Sequence, residues 1–195
     1  MRRFFESLAA RSSLSGKSFL DAVESLFFLF FTGAVIGFVY EVLYTRLIHG
    51  YWAYRGTFWG PYLPLYGVGA LLLYALFHRL VRIPPLVFLL SGLTTGLLEY
   101  GSGRVLLLMT GKKYWNYSRY SVVFDRYGFV SLRSVLIFAV GAMLLLYAIV
   151  PLLLPALEKA KPKTRHILFG ILAAIFLCDA VLTLLIPNTL GQVAG

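Results

Sequence analysis

Apolar residues in this chain fall into blocks near 26–47, 63–80, 86–109, 133–154 and 167–187, separated by short polar, aromatic and basic stretches. Each block approaches the roughly 20 residues that a helix needs to cross a bilayer, except the second, whose apolar part is shorter. The pattern predicts an all-α, polytopic membrane helix bundle of about five transmembrane helices over residues 25–190. Residues 1–24 precede it as a cytoplasmic or interfacial segment, in which Phe4, Phe5 and Leu8 beside Arg2, Arg3 and Arg11 suit one short amphipathic helix. The first block ends without a small-x-small cleavage site and reads as an uncleaved span.

Two segments interrupt this pattern. Ser15-Gly16-Lys17-Ser18 ends like a phosphate loop, yet Arg11 stands where the motif's first glycine belongs and no strand precedes it, so it reads as a linker. The second block opens on Gly60-Pro61-Tyr62-Leu63-Pro64-Leu65-Tyr66-Gly67-Val68-Gly69, dense in residues that break helices. A helix starting at Pro64 is the favoured reading, because a first turn tolerates proline; a broken or re-entrant entry stays open.

Composition agrees with the blocks. Of 195 residues, 59% are hydrophobic and 13% charged, and mean hydropathy is +0.80, too little polar surface to coat a soluble globule of this size. The net charge of +10 sits at block ends and in loops, which points to anionic lipid head groups as partner and not to nucleic acid. The single cysteine, Cys178, makes no internal disulfide and leaves the redox compartment open. With the N-terminus inside, Arg2, Arg3, Arg11, Lys17, Arg79, Arg82, Lys159, Lys161, Lys163 and Arg165 face the cytoplasm and outnumber the outer lysines and arginines. The uncharged tail, 187–195, then lies outside, and the cell inner membrane is the expected location.

Glu41 and Glu99 are the leading chemical candidates. A carboxylate at membrane depth costs several kcal/mol unless paired or facing a polar cavity, and each is followed five positions later by an arginine, Arg46 and Arg104. Aligning the two glutamates also superposes Gly33 on Ser91, Gly37 on Thr95 and Arg55 on Lys113. Gly33, Gly37, Glu41 and Thr45 then form one helical stripe and Ser91, Thr95, Glu99 and Gly103 another, of the kind that lets membrane helices pack closely. Basic, aromatic stretches follow both. These features suggest two span-loop-span units, as parallel repeats, plus a fifth helix.

On that reading both glutamates face a shared interior roofed by the aromatic loops. It would take a cation through the carboxylates, or an anionic head group through Arg46, Arg104, Arg55 and Lys113. The structural alternative pairs Glu41 with Arg46 or Arg104 and makes the aromatics an interfacial belt. Asp179, the third acid at depth, has no basic residue within a turn and needs a partner on another helix, water or a proton. Arg133 opens the fourth span and reaches the interface by snorkelling. His49, His78 and His166 are too scattered for a metal cluster, and no catalytic motif or cofactor signature occurs. Enzymatic chemistry would have to rest on the two glutamates as acid and base.

The run Arg55-Gly56-Thr57-Phe58-Trp59-Gly60-Pro61-Tyr62-Leu63-Pro64-Leu65-Tyr66-Gly67 resembles the signature of a bacterial membrane family described as Putative ABC-transporter type IV, or CmpB-like. Glu41 before it, Glu99 after it, Trp115-Asn116-Tyr117-Ser118 and Gly128-Phe129-Val130-Ser131-Leu132 follow in the family's order. Asn116 stands where the family carries aspartate, and its fourth-span Trp-Gly is not evident. The resemblance implies a permease; the leading expectation joins this to the acids at membrane depth, a permease-like protein whose bundle interior binds a small polar or amphipathic ligand, with Glu41, Glu99, Arg46, Arg104, Arg55, Tyr66 and Trp115 as candidate ligand-binding residues and 60–69 shaping the outer entrance. The chain has no nucleotide-binding site, so ATP-driven transport implies a separate ATPase, and so small a unit implies a homodimer or another membrane partner. The competing expectations are a membrane enzyme acting on lipid or cell-envelope substrates and a structural or accessory subunit.

Overall fold

The computed structural model describes residues 2–186 and 188; the tail expected to lie outside falls, apart from Asn188, beyond the described residues, as do the side chains of Arg2 and Arg3. The described chain is helical: α1 (Arg2–Arg11), α2 (Phe19–His49), α3 (Pro64–Phe77), α4 (Pro84–Thr110), α5 (Leu132–Leu144), a π-helical turn (Leu145–Ile149), α6 (Val150–Lys159) and α7 (Pro162–Leu185). Among the described residues one isolated bridge, Val123 to Ser131, is the only extended pairing. Among the described residues three stretches are long and apolar enough to cross a membrane: Phe19–His49, Leu132–Lys159 and Pro162–Leu185. α3 is apolar but short, and Thr94, Thr95, Glu99, Ser102 and Arg104 dilute the apolar run of α4.

The chain divides into two compact units, one of residues 14–72 and 152–195, which holds Glu41, the other of 1–13 and 73–151, which holds Glu99. In the Glu41 unit, α2 begins well ahead of its apolar block because Ser18 caps it. The Ser18 hydroxyl oxygen accepts the Asp21 N–H at 3.2 Å, a contact worth about 1 kcal/mol. Glu24 therefore lies inside the helix. α2 ends at Gly50 and α4 ends in the same way at Gly111, both with positive φ (81° and 69°), the left-handed cap that glycine adopts without strain. α3 starts at Pro64, as an ordinary first-turn proline.

Gly33 draws α3 against α2: a Cβ there would lie 2.6 Å from the Cβ of Ala70. α7 joins them through rings. Phe176 lies 5.3 Å from Phe30, 5.5 Å from Phe58 and 5.6 Å from Tyr62, and Phe169 lies 5.1 Å from Phe27. Without a water-driven hydrophobic effect between helices in lipid, such ring packing and close backbone approach supply the association. The rest of α7 turns Ile171, Ile175, Val181 and Leu184 outward, as a lipid-facing helix does.

In the Glu99 unit, α4 packs on α5 through Gly92, where a Cβ would meet Val135 at 3.2 Å and Ala139 at 3.4 Å. Ser131 and Ser134 form a capping box at the start of α5. α5 runs into α6 through the π-helical turn because Pro151 has no N–H for the carbonyl four residues back and its ring crowds that carbonyl. The widened turn relieves both, with the Val150 N–H bonding the Leu145 carbonyl. α1 rests on this unit: Leu8 is buried, Phe5 meets the ring of Tyr147, and the Tyr74 hydroxyl donates to the Ser12 carbonyl at 2.7 Å.

Candidate functional site

The stripe on α2 explains where Glu41 points and what meets it. Gly37 has no side chain, so the ring of Tyr66 lies directly on it; a Cβ at Gly37 would overlap that ring. From there the Tyr66 hydroxyl donates to Glu41 Oε1 at 2.6 Å. Arg55 approaches the other oxygen, Nε to Oε2 3.4 Å, with both side chains partly exposed. Leu63 donates its N–H to the Ala34 carbonyl at 2.9 Å and ties the end of the loop to α2. Arg55 and Tyr66, near opposite ends of the signature run, therefore converge on one carboxylate.

Arg46 is not part of this cluster. Five residues on a helix carry it well over a quarter-turn from Glu41, and its guanidinium stacks over Trp52 at 5.5 Å and donates to the Gly50 carbonyl. Within this unit the cation that meets Glu41 is thus Arg55 and not Arg46.

The middle of the signature is held by a second acid. Asp179, buried on α7, accepts the Trp59 N–H at 2.9 Å and the Thr183 hydroxyl at 3.2 Å on Oδ1, and the Gly60 N–H at 2.7 Å together with the Tyr62 hydroxyl on Oδ2. The Tyr54 hydroxyl lies within hydrogen-bond reach of the neighbouring carbonyls of Phe58 (3.0 Å), Trp59 (2.7 Å) and Gly60 (2.8 Å). Asp179 thus takes the N–H groups of this loop and Tyr54 meets its carbonyls. Burial, followed by the bond to Asp179, pushes the Tyr62 phenol well above its ordinary range; burial and the Asp179 charge raise Tyr54 as well. Four donors offset the cost of desolvating this carboxylate, which needs no cation.

Glu99, in the other unit, is buried at 8% exposure, and Tyr117 donates to its Oε1 at 3.1 Å. Its stripe is buried throughout, and Gly103 makes room for Phe129, whose ring a Cβ would meet at 2.7 Å. Arg104 again turns to an aromatic ring, over Tyr127 at 4.2 Å. Trp115 donates its indole N–H to the Phe129 carbonyl at 3.1 Å, Lys113 donates to the Tyr127 carbonyl at 2.8 Å, and Arg133 stacks over Tyr120. Asn116 Oδ1 accepts the Ser118 N–H at 3.0 Å and its hydroxyl at 2.6 Å, a turn for which an aspartate has the same acceptor.

A polar cluster escaped the sequence reading. Glu24, at 1% exposure, accepts from Arg165 Nε at 2.7 Å and meets His166; Arg165 also pairs with Asp21. Lys17 pairs with Glu158 at 3.0 Å. Its only signals were two acids three positions apart before the first block and a basic pair before the last.

A model of the family described as Putative ABC-transporter type IV matches residues 28–184, a region that contains Glu41, the signature loop, Glu99 and Asp179. No curated protein and no solved structure matches the chain.

Proposed function

Because the chain belongs to the Putative ABC-transporter type IV family, we propose that it is a permease-like subunit that binds a small polar or amphipathic ligand at Glu41, Arg55 and Tyr66. The observation that carries this reading is the convergence of both ends of the signature run on the Glu41 carboxylate. A partly exposed ion pair contributes about 0–1 kcal/mol, so stability alone is a weak reason to keep Arg55 against Glu41. The segment 60–69, the end of the loop and the first turns of α3, shapes the entrance, and the pair of Glu99 and Tyr117 is a second polar position in the other unit, which also holds Arg104 and Trp115. Arg46 lies at the rim over Trp52.

In this reading α2, α3, α4, the stretch Leu132–Lys159 and α7 make five crossings of a bacterial inner membrane, with the N-terminus inside and basic ends against anionic lipid. A separate ATPase drives transport, and a second copy or another membrane subunit completes the path. Replacing Glu41 by Gln is expected to leave the protein inserted and folded but unable to complement a deletion strain. Full activity of that variant would end the proposal.

One observation favours a second reading, an accessory subunit without ligand: Asp179 is answered by donors from its own chain. That reading expects Glu41→Gln to lower the amount of folded protein in the membrane instead of its activity.

A further inference from the structure

The Glu41–Arg55 pair is loose in a way that bears on what it takes. Charge-assisted N–H to carboxylate bonds usually span about 2.7–2.9 Å, often as two parallel contacts with arginine. Here Nε stands 3.4 Å from Oε2, and the side chains keep 31% and 22% exposure. Glu41 is oriented by the short bond from Tyr66, so its direction does not depend on the arginine. The Tyr66 ring that carries this hydroxyl is itself tilted against Tyr40, 6.3 Å centroid to centroid.

Charge balance selects the ligand. One carboxylate and one guanidinium leave the pair neutral, which suits a place beside an apolar span. A purely cationic ligand that displaces Arg55 leaves the guanidinium uncompensated, and a purely anionic ligand that displaces Glu41 leaves the carboxylate so. A molecule carrying both charges exchanges partner for partner, its ammonium on Glu41 and its acid group on Arg55.

We infer that the Glu41–Arg55 pair is an exchangeable lock that opens to a small zwitterion: a cationic nitrogen and a carboxylate or phosphate a few bonds apart. The inference rests on the permease reading of the same site and names its substrate class. A free small zwitterion and the head group of a zwitterionic phospholipid share this chemistry.

The test is calorimetric titration of the purified full-length chain in detergent with glycine betaine, dihexanoylphosphatidylcholine, choline and acetate. At least one of the first two is expected to bind about tenfold or more tightly than either choline or acetate, and which one binds tells a free solute from a lipid head group. Arg55→Gln leaves the acid alone and is expected to shift preference toward choline; Glu41→Gln leaves the base alone and is expected to shift it toward acetate. Equal binding of a singly charged probe and the better zwitterion by the wild type, or binding of none of the four, overturns the inference, and these wild-type titrations decide even if a variant fails to fold. The two readings fail separately. A chain with no zwitterion preference whose Glu41→Gln variant is still inactive in cells loses only this inference; an active Glu41→Gln variant removes the site itself.

Discussion

The carboxylate of Asp179, on the last helix, accepts the backbone N–H of Gly60 at 2.7 Å, across well over half the length of the chain. With the neighbouring Trp59 N–H on its other oxygen, this makes Asp179 the anchor of the proline- and glycine-rich segment that opens the second apolar block. Asp179→Asn keeps the size but loses the charge and one of the acceptor atoms. A cost of about 2–4 kcal/mol is expected, since backbone donors would be stranded in a buried place. Thermal unfolding in detergent measures it; a change below about 0.5 kcal/mol would mean that the loop holds itself.

Gly37→Leu sets a side chain where the Tyr66 ring now lies. Overpacking of this kind costs about 1–3 kcal/mol. It is also expected to move the Tyr66 hydroxyl off Glu41, so the double change Gly37→Leu with Tyr66→Ala should cost less than the two single changes added. Strict additivity in a thermal-denaturation cycle would show that the ring and the glycine do not meet.

The Tyr62 phenol is raised by burial and by its bond to Asp179. A group raised in the folded state lends stability that is fully present below its unfolded value, about 10, and is lost as pH climbs through the folded value. Wild-type stability is therefore expected to fall above pH 10 more steeply than that of Tyr62→Phe, which has no phenol to ionise. Parallel curves from alkaline denaturation of the two proteins would contradict the assignment.

Asn116→Asp introduces the acid that the resemblance leads one to expect at this position. The turn at Ser118 has the acceptor it needs in either residue, so a stability change within about 0.5 kcal/mol is expected by thermal scan. A loss above about 1 kcal/mol would show that the amide nitrogen has a part in the loop that Ser118 does not reveal.

Much of the helical layout was legible because membrane spans announce themselves by length and apolarity. Pro64 marked the start of α3 for a local reason, the missing N–H that a first turn does not use. The cost of a charge in lipid singled out Glu41, Glu99 and Asp179. Their partners were harder to read. Arg46 is near Glu41 in sequence but wrongly phased on the helix, whereas Arg55 arrives through a loop whose path depends on Asp179. Asp179 itself is met largely by backbone N–H groups, which every residue but proline carries and which therefore leave no trace in sequence. Glu24 and Arg165 looked like solvated charges at span ends because nothing local shows that the start of α2 meets the start of α7.

The central claim is that the signature loop is folded against the carboxylate of α7, and hydrogen exchange at the Trp59 and Gly60 amides measures it most directly. Both amides are expected to be protected in the wild type and to exchange about tenfold or more faster in Asp179→Asn, with α4 and α5 unchanged. Rapid exchange at both positions in the wild type, or equal rates in the two proteins, would contradict the account.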